Sequence, residues 1–494
     1  MRRKMPIFYS ALLLTGVNLL LRLVSTSFQV YISGRIGAAG VGLLQLVMSV
    51  GMLAMTAGMA GVRTATMYLT AEELGKKRPQ NVKWVLNGCF VYSIVCSGTV
   101  AAILYYAAPH LAESWVGDIQ SLGAIRLYAR FLPIVCLCGC MTGYFTAANR
   151  IGTLAAVEIG EQLCSMAVTM SALTLWAGDD MGKACQAVVL GSSIGALLTL
   201  GCLLLLRWKE HPPRSRRIPV GRRLCQAAVP LALADNLKSG ISTTENLMVP
   251  KRLAMYPGTG DPMAVFGTVC GMVFPVLMFP AAILFALAEL LIPELARCAA
   301  AGSRDRIQYL VKRSLRIGML YGVLCGGLLY LLAEDLCLWL YGSADTGRYL
   351  RQYAILAPML YCDAVTDAMT KGLGQQKACV RYNILTSSLD VVFLYLLLPK
   401  YGMRGYFLSF LVTHLLNFVL SLRRLVKISG NAIPFHTPAL TAAAALAAVW
   451  GASFLDAPGW RIIAFLGLLG SLLGLFHVLS REDIAWLRGL VRKK

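Results

Sequence analysis

Residues 17–29 read VNLLLRLVSTSFQ and place Arg22 near the middle of an apolar run that extends from Ile7 almost to Ile32. A run of this length is sufficient to cross a bilayer as a helix, which takes roughly 20 residues. A charged side chain at the centre of such a helix costs about 2.5–3.5 kcal/mol on insertion scales. The position of Arg22 therefore requires an explanation other than contact with lipid.

The polar residues of this segment supply that explanation through their spacing. They follow one another at intervals of three or four positions: Thr15, Asn18, Arg22, Ser25 and Gln29. This spacing places all five on one face of a helix, while the opposite face is Leu, Val and Phe. We therefore expect a membrane helix whose polar face lines a bundle interior or a water-filled cavity.

The composition of the whole chain indicates the same class of protein. Of 494 residues, 57% are hydrophobic and only 14% are charged, and the mean hydropathy is +0.65. The apolar residues form continuous blocks of membrane length without strand-like alternation, so a β-barrel is not expected. We predict an all-α polytopic membrane protein whose first apolar run is retained as a helix and not removed as a signal peptide.

The apolar blocks predict about fourteen membrane helices. Their approximate cores are 8–32, 40–69, 85–108, 124–147, 153–177, 184–206, 224–249, 264–289, 314–333, 350–373, 378–398, 403–422, 437–455 and 461–480. Most Lys and Arg residues fall in the segments that share a side with the N-terminus. Under the positive-inside rule this distribution predicts a plasma-membrane protein with both termini in the cytoplasm. It also accounts for the net charge of +22 without a nucleic-acid partner.

The segment 207–223, RWKEHPPRSRRIPVGRR, is rich in Pro and Arg and predicts a basic cytoplasmic linker. It separates two predicted six-helix lobes, 1–206 and 224–424, which are followed by two additional helices within 437–480. The lobes resemble each other, since Tyr128 and Pro133 have counterparts in Tyr353 and Pro358. An even number of helices per repeat gives both repeats the same orientation, a plan known among transporters.

Basic residues inside the apolar blocks are the first candidate site. The second block repeats the polar stripe with Gln45, Ser49, Thr56, Arg63 and Thr70, and the seventh contains ADNLKSGISTTENL, residues 234–247. We interpret Arg22, Arg63 and Lys238, with Asn18 and Gln29, as the lining of a cationic cavity. Guanidinium groups suit phosphate oxygens, so an anionic substrate is expected. The alternative is interhelical ion pairing that only holds the bundle together, and Asp235 could pair with Lys238 locally.

Carboxylates inside the blocks are the second candidate site. They are Glu158, Glu161, Glu289, Asp363, Asp367 and Asp390. Such groups can carry Na+ or H+ for coupling, or they can be hydrogen-bonded interior residues and partners for the arginines. No metal site or cofactor is expected. Fifteen scattered cysteines are interpreted as small buried hydrophobes, and the absence of nucleotide-binding, zincin and nucleophile-elbow motifs argues against an enzyme.

Several stretches resemble a known transporter group. They are IGAAGVGLLQL (36–46), GYFTAANRIGTLAAVEIGEQ (143–162), AVPLALADNLKSGISTTENLMVPKRL (228–253), VFGTVCGMVFPVLMFPAAILFALAELLIPEL (265–295), GLGQQKACVRYNIL (372–385) and LLPKYGMRGYFLSFLV (397–412). They are similar to the stage V sporulation protein B group of polysaccharide-biosynthesis transporters. This group belongs to the multidrug/oligosaccharidyl-lipid/polysaccharide (MOP) exporter superfamily, which includes the lipid II flippases.

The resemblance implies two six-helix lobes, alternating access and a polyprenyl-diphosphate-linked saccharide as cargo. It also implies cavity arginines on helices 1, 2 and 8, of which Arg22 and Arg63 match the first two. The chain departs from the pattern at Phe28-Gln29, where relatives carry a second arginine, and in helix 8, which lacks Arg and Lys. Lys238 is the nearest basic substitute. A cation site on helices 7, 11 and 12 of some lipid II flippases is matched, by helix only, by Asp235 and Asp390.

We therefore expect a flippase for a lipid-linked saccharide, such as a peptidoglycan precursor, in spore cortex or cell-wall synthesis. Expected partners are this substrate, membrane lipids and cell-wall synthesis proteins, and the chain is expected to be a monomer. One alternative is a cation-coupled multidrug exporter of the same superfamily. A second alternative is a membrane scaffold for cell-wall assembly that transports nothing.

Overall fold

The computed structural model describes residues 7–476 except 77, 179, 209–219, 259 and 431–435. Side chains are described for all of these except residues 7–15, 17–19, 151 and 436–438. Most of the predicted linker therefore lies outside the described residues. The part of the chain that is described folds into helices and contains no strand, so the all-α class predicted from the sequence is confirmed.

The chain forms two compact units, of which unit 1 comprises Met1–Gly271 and Val391–Gly405. Its helices are α1 (Ile7–Met59), α2 (Val62–Gly75), α3 (Val82–His110), α4 (Leu122–Ala147), α5 (Ile151–Ala172), α6 (Met181–Trp208), α7 (Gly221–Leu253) and α8 (Pro262–Phe266). Single turns of 3₁₀ helix, Pro79–Asn81 and Ile119–Ser121, and wider π-helical turns, Leu111–Val116, Leu173–Ala177 and Gly267–Val273, extend several of them.

Unit 2 comprises Met272–Asp390 and Tyr406–Lys494. Its helices are α9 (Phe274–Met278), α10 (Ala281–Ala300), α11 (Arg304–Leu331), α12 (Ala333–Tyr341), α13 (Ala344–Ala354), α14 (Ala357–Gly372), most of α15 (Gln376–Tyr401), most of α16 (Met403–Ser429), α17 (His436–Ala452) and α18 (Pro458–Leu475). The predicted division into repeats at residues 206 and 224 has different boundaries from these units and stays a prediction.

Long apolar helices make the chain a multi-pass membrane protein. Among the described residues, eight helices are long and apolar enough to cross a membrane, or nine if the bent pair Pro262–Met278 and Ala281–Ala300 forms one span. Each of the fourteen predicted segments is helical where it is described, although several are interrupted. Regular helix satisfies backbone groups that lipid cannot, which is why apolar blocks of this length fold in this way.

Two backbone breaks lie near the N-terminus, one between the first two predicted helices and one inside the second. Gly37 (φ 69°, ψ 178°) separates the first predicted segment from the second within α1. Ala60 (φ 42°) and Gly61 (φ 72°) then end α1 and begin α2. A Cβ on Gly61 would lie 2.4 Å from the carbonyl oxygen of Ala228, so glycine allows α7 to pass against the break. The predicted helix 40–69 is therefore two helices.

A third break lies between α9 and α10, where Phe279 and Pro280 fall outside both helices. Proline cannot donate the backbone hydrogen bond that would continue the helix, which leaves nearby carbonyls without helical partners. Two tyrosines of unit 2 compensate. Tyr321 donates to Pro280 O at 2.8 Å, and Tyr361 donates to Leu277 O. The predicted segment 264–289 is consequently a set of short helices.

Small residues allow close helix packing within each unit. In unit 2, Phe465 of α18 lies against Gly327 of α11, where a Cβ would come within 2.3 Å of the ring. This contact belongs to an apolar cluster that α11, α17 and α18 share. All fifteen cysteines are free thiols, and of these Cys225 of α7 is the exposed one. The interpretation of the other cysteines as mostly buried or half-buried hydrophobes is consistent with this placement.

Candidate functional site

The first half of α1 holds three of the predicted site residues. Arg22 is half-buried, and the side chain of Asn18 lies outside the described residues. Gln29 donates through Nε2 to the carbonyl oxygen of Gly271 at 3.2 Å. That carbonyl belongs to the π-helical turn after α8. Gln29 therefore connects two elements of unit 1, which is the structural role that the sequence left as an alternative.

Arg63 lies in the first turn of α2, directly after the break at Ala60 and Gly61. Its side chain is exposed. Two glycines of α4 bring the neighbouring helix close: a Cβ on Gly143 would lie 2.4 Å from Arg63 O, and one on Gly139 would lie 3.8 Å from Arg63 Cβ. Backbone packing therefore positions Arg63. The N–H groups in the first turn of α2 point towards the N-terminal end of that helix.

A carboxylate from another helix lies near enough to Arg63 for the two charges to interact, without an ion pair between these two described residues. Glu158 of α5 is exposed, and its charge interacts electrostatically with that of Arg63. Glu161, one turn further along α5, instead accepts a hydrogen bond of 2.7 Å from Thr199 of α6. The two predicted coupling carboxylates of α5 therefore have different environments, and only Glu158 offsets the charge of a predicted cavity arginine.

The polar residues of α7 divide between two faces of the helix. One face packs against α1: Thr243 donates to Ser49 O at 3.1 Å, and Asn246 donates to Ser49 Oγ at 2.9 Å. Thr56 Oγ1 lies 3.4 Å from Ser239 Oγ in the same contact between α1 and α7, which we call the seam. These pairs run in opposite order along the two helices, so α7 is antiparallel to the second half of α1. This face holds the two helices together, and Ser49 takes part through both its hydroxyl and its carbonyl group.

Lys238 and Asp235 lie on the neighbouring face of α7, and both side chains are exposed. The Lys238 ammonium and the Asp235 carboxylate, both on described residues, are more than 4.0 Å apart. The local ion pair considered from the sequence is therefore not formed between these two described residues. α7 passes Gly61 at Ala228 and Ala232. Since a helix rises 1.5 Å per residue, Asp235 lies about 4.5 Å and Lys238 about 9 Å beyond Ala232 along the axis. Lys238 therefore lies on the side of the break where Ser239 meets Thr56, whereas α2 runs from Arg63 towards its contact with Arg223.

The remaining predicted carboxylates lie in unit 2, where Glu289 is exposed on α10 and two others are held by α16. Asp390 accepts hydrogen bonds from Ser409 Oγ and from Thr413 Oγ1, the latter at 3.2 Å. Asp363 accepts from Asn417 Nδ2 at 3.1 Å. The three donors are buried and spaced four residues apart, so one face of α16 serves both carboxylates.

Asp367 differs from both, because it forms an ion pair of 2.6 Å with Lys371 one turn along α14. The charge of Asp367 is therefore balanced within its own helix, whereas Asp363 and Asp390 receive hydroxyl and amide donors. Sequence analysis did not single out Ser409, Thr413 and Asn417. Their i, i+4, i+8 spacing within an apolar block was the signal that could have found them.

Unit 2 also contains an apolar cavity of about 950 Å³. Side chains of α11, α14, α16 and α17 line it, among them Met319, Met359, Phe418, Leu446 and Trp450. The volume lies within the range of pockets that hold small ligands. The lining is suited to hydrocarbon and not to a charged group.

The sequence and fold have known counterparts. A model of the MatE family matches residues 15–177. Stage V sporulation protein B of Bacillus subtilis (strain 168) is 21% identical over 417 residues, which are 81% of this chain and 80% of that protein. The lipid II flippase MurJ, in an inward closed conformation, superposes with a TM-score of 0.69 at 11% identity and covers 96% of this chain and 100% of its own.

An inward-facing multidrug resistance MATE family transporter of the MOP superfamily superposes equally well, with a TM-score of 0.69 at 12% identity. It covers 85% of this chain and 100% of its own. The chain has the MOP-superfamily fold. A MOP superfamily transporter from Pyrococcus furiosus, described as having a binding pocket of reverse polarity, is similar at a TM-score of 0.61 and 15% identity and covers 84% and 94% of the two chains.

These matches confirm the resemblance and the fold class expected from the sequence. The MOP fold agrees with a membrane transporter, and the proteins that share it here are described as transporters or flippases, not as enzymes. The expectation that the chain is not an enzyme is thereby supported. The residues proposed to line the cavity are not compared by these matches and remain predictions.

Proposed function

We propose that this protein is a flippase that moves a polyprenyl-diphosphate-linked saccharide across the plasma membrane by alternating access. The observation that carries the proposal is the exposed guanidinium of Arg63 in the first turn of α2, next to the break between α1 and α2, with Lys238 of α7 as a second exposed cation of unit 1. A diphosphate needs cationic donors that are accessible and held in place. Both side chains are exposed, and the backbone around Arg63 is fixed by its contacts with α4 and α7.

Glu158 gives Arg63 a partner in the absence of cargo. A lone guanidinium in a membrane protein is costly, and an acidic neighbour reduces this cost. Because Glu158 is itself exposed, a diphosphate can replace it without breaking a buried ion pair. In this mechanism Arg63 exchanges an internal anion for the cargo. Arg22 contributes a second guanidinium from α1, and Asn18 and Gln29 lie on the same predicted face.

The apolar cavity of unit 2 supports the lipid part of the proposal, since its lining suits an isoprenoid chain. The similarity to stage V sporulation protein B and the fold of MurJ support a cell-envelope saccharide as cargo. Within the proposal both termini face the cytoplasm, the protein acts as a monomer, and Na+ or H+ supplies coupling through Asp235, Asp390, Asp363 or Asp367.

The proposal is tested by reconstituting the protein in liposomes with a fluorescent lipid-linked saccharide. We expect Arg63→Ala and Arg22→Ala each to slow flipping at least tenfold, because a charged hydrogen bond is worth about 1.5–3 kcal/mol. Arg222→Ala is the matched control, since Arg222 is exposed outside the predicted spans. Flipping at the wild-type rate by both cavity variants would exclude the diphosphate role.

A cation-coupled multidrug exporter is the second candidate, favoured by the carboxylates held in unit 2 and by the fold of the MATE transporters. It predicts that drug accumulation in cells depends on Asp363 and Asp390 and not on Arg63. A membrane scaffold predicts that neither drugs nor lipid-linked saccharides move and that Arg22→Glu leaves the cell-wall phenotype intact. Transport of one cargo class in proteoliposomes separates these three functions.

A further inference from the structure

Two arginines of α4 surround one tyrosine at the end of unit 1 where α3 ends and α4 begins. The guanidinium carbons of Arg126 and Arg130 lie 5.4 and 5.6 Å from the centre of the Tyr105 ring. Arg130 Nη2 also lies 3.5 Å from the Tyr105 hydroxyl. Tyr106 packs edge-on against Tyr105, with ring centres 5.8 Å apart. Two cations and two amphipathic aromatic rings thus form one cluster.

The cations of this cluster have no acidic partner among the described residues. Neither guanidinium comes within 4.0 Å of a carboxylate oxygen in the part of the chain that the structure describes. Two carboxylates at the same end are used elsewhere, because Asp118 accepts from Gln120 N and Asp180 pairs with Lys183 at 3.6 Å. Nε of Arg126 is buried and lacks a hydrogen-bond partner.

Like charges one turn apart on a helix destabilise it, and an unsatisfied buried donor adds a further cost. Both costs would be removed by an anion with several acceptor oxygens placed between the two guanidinium groups. The half-buried Arg126 and the exposed Arg130 leave one side of such an anion open to the surroundings.

The surface around the cluster is apolar. α3 exposes a row of large apolar side chains, among them Val91, Val95 and Ile103, and Tyr106 continues this row at 82% exposure. Trp115, in the π-helical turn after α3, is 42% exposed. Tyrosine and tryptophan concentrate where a membrane protein meets the lipid headgroups. The cluster therefore lies at headgroup level on a surface that faces acyl chains.

We propose that Tyr105, Arg126 and Arg130 form a binding site for the phosphodiester of an anionic phospholipid, such as phosphatidylglycerol, in the leaflet at this end of α3. The two guanidinium groups bind the phosphate oxygens, and the tyrosine rings pack against the glycerol and the upper acyl chains. An anionic lipid is favoured over a zwitterionic one because the site carries two positive charges without a carboxylate. This site is separate from the proposed cargo site at Arg63.

Native mass spectrometry of the purified full-length protein tests the site. With equal amounts of phosphatidylglycerol and phosphatidylcholine, the wild-type protein is expected to retain mainly phosphatidylglycerol. Arg126→Gln/Arg130→Gln should reduce the retained phosphatidylglycerol at least fivefold. The matched control is Arg348→Gln/Arg351→Gln, because these arginines pair with Asp345 and Glu334 at 3.1 and 3.0 Å. The control should retain phosphatidylglycerol as the wild type does.

Equal retention of phosphatidylglycerol by the Arg126/Arg130 variant and the wild type would overturn the proposal, as would equal retention of phosphatidylcholine. Competition with millimolar glycerol phosphate separates the lipid from a soluble phosphate: displacement of the phospholipid by glycerol phosphate would contradict a lipid site. If the double variant does not fold, the single variant Arg130→Gln is used in its place, because Arg130 is exposed. Cargo flipping is measured separately, in phosphatidylcholine liposomes. A loss of flipping there is therefore distinguishable from a loss of lipid binding at this site.

Discussion

Nη1 of Arg223, at the start of α7, lies 2.9 Å from Oε1 of Glu73 near the end of α2. The same guanidinium reaches Glu72 at 2.8 Å, and Asn81 donates to the second oxygen of Glu73. The Glu73 side chain is 4% exposed, whereas that of Arg223 is 36% exposed. The last basic residue of the predicted linker is therefore the cation that balances a buried acid of α2.

Arg223→Gln should destabilise the protein by about 1–2 kcal/mol, the lower part of the range for charged hydrogen bonds, because Arg223 is partly exposed to solvent. Glu73 would be left buried with only Asn81 as a donor. The measurement is the thermal unfolding midpoint in detergent. Arg222→Gln removes the same charge from the adjacent exposed residue and should leave the midpoint unchanged; an equal loss in both variants would contradict the ion pair.

The stability from this cluster should depend on pH. The Lys76 ammonium, followed by the Arg223 guanidinium, holds the pKa of Glu72 below its ordinary value of 4.5. Glu72 lies beyond the predicted span that ends at residue 69. A lowered pKa in the folded state adds stability above the unfolded pKa, and this stability is lost as the pH falls towards the folded value. The difference in unfolding midpoint between wild type and Arg223→Gln should be constant from pH 6 to pH 8 and shrink below about pH 4.5. A difference that grows in acid would refute this assignment.

Gly143→Ala should separate α2 from α4 at Arg63. The added Cβ would lie 2.4 Å from Arg63 O, a contact that only backbone movement relieves. Such overpacking costs about 1–3 kcal/mol. We expect a lower unfolding midpoint and slower flipping in liposomes. Gly98→Ala on α3 is the control, since no atom lies within 4 Å of its added Cβ, and it should preserve both quantities.

The seam between α1 and α7 should show energetic coupling between Ser49 and Asn246. Their hydrogen bond of 2.9 Å is the shortest in that seam. A double-mutant cycle with Ser49→Ala and Asn246→Ala should give a coupling free energy of about 0.6 kcal/mol, typical of interhelical hydrogen bonds in membranes. Unfolding in mixed detergent micelles supplies the four free energies. Strict additivity of the two substitutions would mean that this hydrogen bond does not contribute to holding the two helices together.

Asp390 should matter more for cation coupling than Asp367. Asp367 already has Lys371 at 2.6 Å, whereas Asp390 accepts from two hydroxyl groups and has the His414 imidazole, not a fixed cation, as its titratable neighbour. A carboxylate without a fixed cation is the better site for Na+ or H+. Replacing Na+ by choline should change the unfolding midpoint of the wild type and of Asp367→Asn, but not of Asp390→Asn. The reverse pattern would assign coupling to α14.

Apolar block length was sufficient to predict the helices and the membrane class, because lipid leaves the backbone few alternatives. Arg22 and Arg63 could also be picked out from the sequence as candidate site residues, because a charge within a long apolar block is conspicuous. The break at Ala60 was not predicted, because alanine and glycine within an apolar run do not by themselves mark a helix end. It arises from the close passage of α7, a tertiary contact.

Roles proved harder to predict than positions. The polar stripe that includes Ser49 and Thr56 was expected to face either a bundle interior or a water-filled cavity, and these two residues bond to α7 within the bundle. Helical spacing identifies a polar face but not the element that covers it. The interaction of Glu158 with Arg63 likewise joins residues 95 positions apart and leaves no local pattern in the sequence.

Cys225 gives this protein a built-in reporter. It is the exposed thiol among fifteen free cysteines and lies two residues after Arg223. A maleimide probe on the otherwise unmodified chain should therefore attach preferentially beside the contact between α2 and α7. Movements of α7 during a transport cycle could then be followed by the rate of alkylation, without first constructing a cysteine-free background.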